Sequence, residues 1–175
     1  MNSSDIELIE TSKELYDQYF AIRSDRTDIY WNGYDSPPDY DSFREIYLSR
    51  LSSARFTEPE DRRLYLIRLK TDAEPKTVGF AQLIKHSDSV EIGYTVVEEY
   101  QRRGIATEAL RLAIELAKEH SENICVKIRD DNIASQGVAK KNGFIPTSAT
   151  EPRNSPGGVQ CYSEYMCFPV DMLQI

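Results

Sequence analysis

Three cysteines, two histidines and one tryptophan are all that 175 residues contain of these types, and each shortage closes off a class of function. Cys125, Cys161 and Cys167 are odd in number and sparse, so they cannot build the disulfide framework of a small secreted domain. Cys125 sits in an apolar run and is expected in the core. His86 and His120 lie far apart, which leaves no metal-ligand spacing and no metal expected. No apolar run approaches the roughly 20 residues a membrane helix needs. The first residues, Met1-Asn2-Ser3-Ser4-Asp5-Ile6, lack the basic and apolar regions of a signal peptide. Basic residues are also in deficit, 21 against 29 acidic, for a net charge of −8. That sign argues against a nucleic-acid or anionic-membrane binder and suits a cationic partner such as a protonated amine. A cytoplasmic protein, monomer or homodimer, is expected.

What remains is ordinary globular material, 40% hydrophobic and 29% charged, with no internal repeat and no break in composition. The whole chain, 1–175, reads as one domain able to bury a core. Its charge is uneven. Residues 101–141 carry eight Lys/Arg against six Asp/Glu, a locally basic stretch open to two readings: an anionic ligand, or solvated helix faces.

Hydrophobic periodicity sets the element order. A short strand at Ile6–Ile9 precedes a helix from Ser12 to Arg23. An aromatic loop, Asp28–Pro38, closes on two prolines before a helix from Asp39 to Leu51. Strands follow at Arg63–Lys70, Thr77–His86 and Ser89–Val97, with a turn at Thr71–Pro75, giving an antiparallel meander. Gly104–His120 then carries the longest helical stripe, Ile105, Ala109, Leu112, Ala113, Leu116 and Ala117. A strand at Asn123–Ile128, a helix at Asp131–Asn142 closed by Gly143, and strands at Phe144–Ala149 and Gln160–Phe168 complete the chain. A Pro/Gly-rich loop, Thr150–Val159, separates the last two strands. The pattern predicts an α/β fold with a mixed, mostly antiparallel sheet flanked by helices.

The segment that carries chemistry is Gln101-Arg102-Arg103-Gly104-Ile105-Ala106, between a strand and the longest helix. A helix start leaves about four N–H groups without partners and bears partial positive charge. A glycine there admits a ligand and two arginines add charge, so a phosphate or pyrophosphate fits. Strand, Gln-x-x-Gly-x-Ala loop and amphipathic helix together resemble the acetyl-CoA signature of the GNAT superfamily of N-acetyltransferases. Asn132-x-x-Ser135 and Lys141-Asn142-Gly143-Phe144 resemble the family's second coenzyme-binding block at the matching distance. Glu91-Ile92-Gly93-Tyr94 more loosely resembles the branch that acetylates ribosomal-protein N-termini.

The resemblance implies the GNAT acyl-CoA N-acyltransferase fold, acetyl-CoA as cosubstrate and no metal. Arg102, Arg103, Gly104, Ile105, Ala106, Thr107 and Lys141 would hold the pyrophosphate end. Thr95, Val96 and Val97 would bind the pantetheine arm as an added strand. Asn132 and Ser135, three apart on one helix face, would meet pantetheine and sulfur; Asn132 equally suits a plain helix cap. Glu91 is the candidate general base, with a solvated strand face as its other reading. The tyrosine that the family places seven residues after the asparagine is Ala139 here, which leaves Ser135 as the candidate acid, directly or through a water, or a thiolate that departs unprotonated; Tyr94 and Tyr165 read as core or structural phenols. Tyr30, Trp31 and Tyr34 are candidates for the acceptor wall, or ordinary loop packing. The amine is expected to enter between that loop and Thr150–Val159, drawn by acidic charge. Two other classes stay open: a non-catalytic acyl-CoA-binding module, and a nucleotide-binding domain, against which the antiparallel meander speaks.

Overall fold

The computed structural model describes residues 5–52, 56–70 and 74–167. Strand β1 (Ile6–Glu10) leads through a 3-10 turn into helix α1 (Tyr16–Arg23). Helices α2 (Arg26–Trp31) and α3 (Tyr40–Ser52) follow. Strands β2 (Arg62–Leu69), β3 (Lys76–Lys85) and β4 (Val90–Val96) form the meander. Helix α4 (Ile105–Lys118), strand β5 (Ile124–Arg129) and helix α5 (Ile133–Lys141) come next. The chain then forms a long hairpin of β6 (Phe144–Ser155) and β7 (Gly158–Cys167). The seven strands make one sheet in the order β1-β2-β3-β4-β5-β7-β6. All neighbours are antiparallel except β4 and β5.

Alternation along the strands divides the core between two faces. On one, Tyr16, Tyr19 and Ile22 of α1 and Tyr47 of α3 pack on Leu64, Leu66 and Phe80. On the other, α4 lays Ile105 and Ala109 over Ile67, Val78 and Val96. Its Leu110, Ala113 and Ala117 meet Ala81, Leu83 and Ile92. The buried face of α4 is rotated slightly from the stripe read off the sequence: Leu110 and Ile114 are fully covered, while Leu112 and Leu116 are only partly buried. The sheet's pull on the helix, rather than the helix's own periodicity, sets that angle.

Two segments expected as loops are regular. The first half of the aromatic segment is α2, begun by Asp25, whose carboxylate accepts the Thr27 N–H at 2.9 Å. Nearly all of Thr150–Val159 belongs to the β6–β7 hairpin, which turns at Pro156-Gly157. Pro152, Pro156 and the two glycines suggested a loop, but Pro152 lies on β6, the outermost strand, where a missing donor costs little, and Pro156 with Gly157 makes the turn. Residues Thr71–Ala73 of the expected turn, and Phe168 at the end of the last strand, lie outside the described residues.

Tyr47 anchors α3 beneath the meander. It is fully buried, and its hydroxyl donates to the Ser12 carbonyl at 2.7 Å. Tyr47→Phe keeps the ring and loses one hydrogen bond, so urea melts should show about 1 kcal/mol of lost stability. Tyr47→Ala should cost about 3–5 kcal/mol by the same measurement. Equal losses would mean that the hydroxyl, not the ring, holds α3.

Candidate active site

Parallel pairing between β4 and β5 is limited to Val90 opposite Ile124 and Glu91 opposite Cys125. Val90 donates its N–H to Asn123 O across this gap at 2.9 Å. Alternation turns the backbone of Tyr94 and Val96 the same way, past the point where β5 has left. Gln101 Nε2 takes the Val96 carbonyl at 2.9 Å. Two cavities open where the strands part, one of about 370 Å³ toward α4 and α5 and one of about 140 Å³ on the opposite face. Trp31, Tyr94, Thr95, Asn132 and Ser135 line both, so the two cavities adjoin at these five residues.

The larger cavity is built around the start of α4. Gly104 caps that helix at φ 81° with no side-chain cap, and Arg102 just before it has φ 59°. Left-handed residues in such a loop turn successive N–H groups toward one point, and the first helical N–H groups have no partners of their own. A Cβ built on Gly104 meets nothing within 4 Å. No protein atom crowds the position, the backbone angle by itself favours glycine, and a valine there would strain the helix start. Arg102, Gly104, Ala106, Thr107 and Lys141 line the cavity. Ile105 also lines it, but its side chain is buried under α4, so it offers backbone alone. Thr95 and Val96 form the strand wall.

Two expected members are elsewhere. Arg103 folds back: its Nη2 donates to Glu99 O at 2.9 Å and its guanidinium lies 5.0 Å from the Tyr100 ring centre. Val97 donates its N–H to Val78 O at 3.0 Å, which ties it to β3. Neither lines the cavity.

Asn132 is a helix cap, accepting the Ser135 N–H at 3.0 Å on its Oδ1, while both residues still line the two cavities. Ala139 is fully buried in the same core cluster as Ile128, Phe144 and Tyr165. A phenol at that position would face the core, not the cleft. The cleft does hold a phenol, from a residue expected to be core: Tyr94, whose hydroxyl donates to Ser135 O at 3.3 Å. Burial pushes it up to about 12, so it stays a proton-bearing donor at neutral pH. Tyr165 is buried in the core, as expected.

The smaller cavity is ionic. Glu91 is not on a solvated face; it is 7% exposed. His86 Nε2 lies 3.1 Å from its Oε2, Lys127 Nζ 3.6 Å from the same oxygen, and Arg153 Nη2 3.7 Å from Oε1. Lys127 also binds Glu151 at 2.8 Å. That hydrogen bond, then the one from Arg153, holds the Glu151 carboxyl down to about 2. Asp28 of α2, only 1% exposed, accepts from Thr95 Oγ1 at 2.8 Å and Arg23 Nη1 at 3.2 Å. Burial raises its pKa against the pull of Arg23.

Of the three aromatic candidates, Trp31 alone lines the cavities. Tyr30 is 56% and Tyr34 51% exposed, and neither contributes to either wall. Trp31 is placed by a residue that sequence reasoning passed over, Arg129 at the end of β5. Its guanidinium lies 4.4 Å from the Trp31 ring centre and 4.7 Å from that of Tyr30. Its Nη1 donates to Tyr30 O at 3.1 Å, and a bidentate pair with Asp131 fixes its other edge. The one visible signal was an arginine directly after the mostly apolar strand expected at Asn123–Ile128. The expected gap between the aromatic segment and residues 150–159 is closed, because Gly157 N–H donates to Gly33 O at 3.3 Å. Nor is the acceptor side acidic: Arg23, Lys127, Arg129 and Arg153 line it with Glu91. Among the described residues no group of three or more His, Cys, Asp or Glu could hold a metal ion.

Known proteins share this fold. The chain is 32% identical over 85 residues to the ribosomal-protein-serine acetyltransferase of Escherichia coli K12, a match covering 47% of each. It thus spans about half the length of that curated relative. The fold matches an acetyltransferase of Salmonella typhimurium that modifies the N-terminal serine of a 50S ribosomal subunit protein, with a TM-score of 0.77 and 17% identity over 95% of this chain and 96% of that one. It also matches a spermidine N-acetyltransferase from Vibrio cholerae in complex with CoA and spermine, with a TM-score of 0.76 and 15% identity over 93% and 95%. A model of the acetyltransferase (GNAT) domain matches residues 6–145, from β1 to the first residues of β6, and the chain belongs to that family.

Proposed function

We propose that the chain transfers the acetyl group of acetyl-CoA to the nitrogen of a primary amine, as a single-domain cytoplasmic enzyme. The observation that supports this is a pair of adjoining cavities with five lining residues in common, one holding an uncapped helix start and the other a buried carboxylate. The coenzyme-bound Vibrio cholerae neighbour supports acetyl-CoA as cosubstrate. The pyrophosphate would lie on the N–H groups of residues 104–107, with Arg102 and Lys141 adding charge. The pantetheine arm would run beside the open backbone edge of Tyr94 and pair with it as another strand. This places the thioester at the junction of the two cavities, with the amine arriving from the smaller one.

The amine nitrogen attacks the thioester carbonyl, the C–N bond forms, and the C–S bond breaks with release of the CoA thiolate. The amine must shed a proton, and Glu91 is the acceptor on that side. Three residues of strand separate Glu91 from Tyr94, about 10 Å between their Cα atoms, so the proton travels through water in the smaller cavity. At the other end, a phenol at about 12 is a poor acid toward a thiolate whose conjugate thiol has a pKa near 8.5. Full transfer would be uphill by about 5 kcal/mol. Tyr94 and Ser135 therefore serve as hydrogen-bond donors to the departing group, and water supplies its proton. No dedicated acid is required, which suits a buried Ala139.

Coenzyme binding can be tested without touching the strained glycine. Ala106→Glu sets a carboxylate where the pyrophosphate would lie, and calorimetry should show acetyl-CoA affinity falling tenfold or more while the thermal midpoint barely moves. Unchanged affinity would remove the α4 start from the coenzyme site.

For the chemical step, Glu91→Gln should lower kcat about 10²-fold with coenzyme affinity preserved. Tyr94→Phe should lower it up to about 10-fold, the worth of one neutral hydrogen bond. Steady-state kinetics with any accepted amine decides both, and a kcat unaffected by either change would take that residue out of the reaction.

A further inference from the structure

The smaller cavity is lined mainly by cations although the molecule as a whole is acidic. The chain carries a net charge of −8, yet this wall presents Arg23, Lys127, Arg129 and Arg153 against the single carboxylate of Glu91. The carboxylates that neutralise these cations are not on the wall: Asp28, Glu151 and Asp131 pair with them from outside it. The cations also differ in what they have left to give. Arg129 is spent on Asp131, Tyr30 O and Gln160 Oε1. Arg23 is not. Its Nη1 meets Asp28, but its buried Nε has no hydrogen-bond partner. Arg153 reaches Glu151 through Nε and Nη2 and stacks 4.6 Å from the Tyr162 ring centre. Arg23 lines the cavity with its guanidinium 5.3 Å from the Phe80 ring centre, and a carboxylate or phosphate there would meet the planar, two-point geometry arginine favours.

Resting on the acetyl-transfer reading, we propose that the acceptor is a small anionic amine, with an amino group and a carboxylate or phosphate on one short skeleton, its anion bound by Arg23. Geometry supplies the spacing. Arg23 reaches Asp28, and Asp28 in turn holds Thr95, which lies on the wall of both cavities at the junction. An anion on Arg23 is therefore a short skeleton away from an amine at the thioester. The cavity of about 140 Å³ limits the acceptor to roughly amino-acid size. A polyamine would bring further cations against four already there and is disfavoured by like charge.

The test pairs binding with turnover. The protein saturated with CoA is titrated calorimetrically with α-amino acids, with the corresponding amino-acid amides, with aminoalkyl phosphates and with polyamines. Thiol release from acetyl-CoA is then followed with the same panel. Anionic amines should bind, and be turned over, at least tenfold better than amides or polyamines; the better of the carboxylate and phosphate arms identifies the anion. Arg23→Lys, which keeps the charge beside Asp28, should raise the KM for the anionic amine tenfold or more. It should not alter the KM for acetyl-CoA or for the amide, a selectivity that a merely structural role would not produce. Binding without turnover would leave this inference standing and sink the catalytic one. Amides or polyamines that bind as well as their anionic counterparts, or no binding by any anionic amine, would overturn it.

Discussion

Two parallel neighbours in a sheet cannot be joined by a tight turn, so the chain between β4 and β5 has to leave the sheet and return. Here that crossover is α4, and its first turn stands beside the end of β4. After β5 the chain leaves again, into α5, capped at Asn132. Both helix starts thus sit at the carboxyl ends of the one parallel pair, the place where open sheets offer ligands a crevice. Pairing between the two strands stops at Glu91 and Cys125. The parting exposes a backbone edge and lets residues from both faces reach the same point. Remove the parting and neither cavity exists.

The gap is kept open by contacts that span it. Asn142 of the α5 cap donates to Thr107 O and Val138 O, fixing α5 against the first turn of α4. Arg129 ties the end of α2 to β5 and β7 through Tyr30 O and Gln160. Asp28 ties α2 to α1 and β4 through Arg23 and Thr95. Each is a buried or half-buried charge or amide with its partners supplied, and removing one partner from such a group costs far more than the pair contributes. The helix that carries Trp31 is only six residues long and too short to be stable alone, so these contacts decide where it lies.

Overall charge and site charge answer different questions. The net of −8 bears on solubility and on which large partners are repelled. The ligand meets only the groups around it. Within the smaller cavity the cationic ends of four ion-paired side chains face inward. The acidic partners of those side chains lie behind the wall, so the groups a ligand would touch are mainly cationic although each is paired. Glu91 shows the same point at one residue: strand alternation predicted its side of the sheet, but not that His86, Lys127 and Arg153 would gather there and bury it.

The elements whose geometry is set by neighbours in the chain were legible in the sequence. The Gln101–Ala106 loop and the helix after it depend on a left-handed glycine and a 3.6-residue stripe, both local properties. The strands of the meander and the capped α5 follow from alternation and from Asn132 and Gly143. The Asp25 cap of α2 was equally local, but the aromatic run after it obscured the signal. The β6–β7 hairpin was hidden by prolines that only an edge position makes harmless, and position in a sheet is not a property of the segment. The walls of the smaller cavity draw on α1, α2, α5 and β3 to β7, and no spacing in the chain links Arg23 to Arg153 or Tyr94 to Ser135. Thus the sequence by itself determined the helix start that can hold a phosphate, because backbone angle and partial charge are written in consecutive residues. Tertiary structure alone decided what faces that helix start across the sheet, because distant side chains become neighbours only once burial and strand order have placed them.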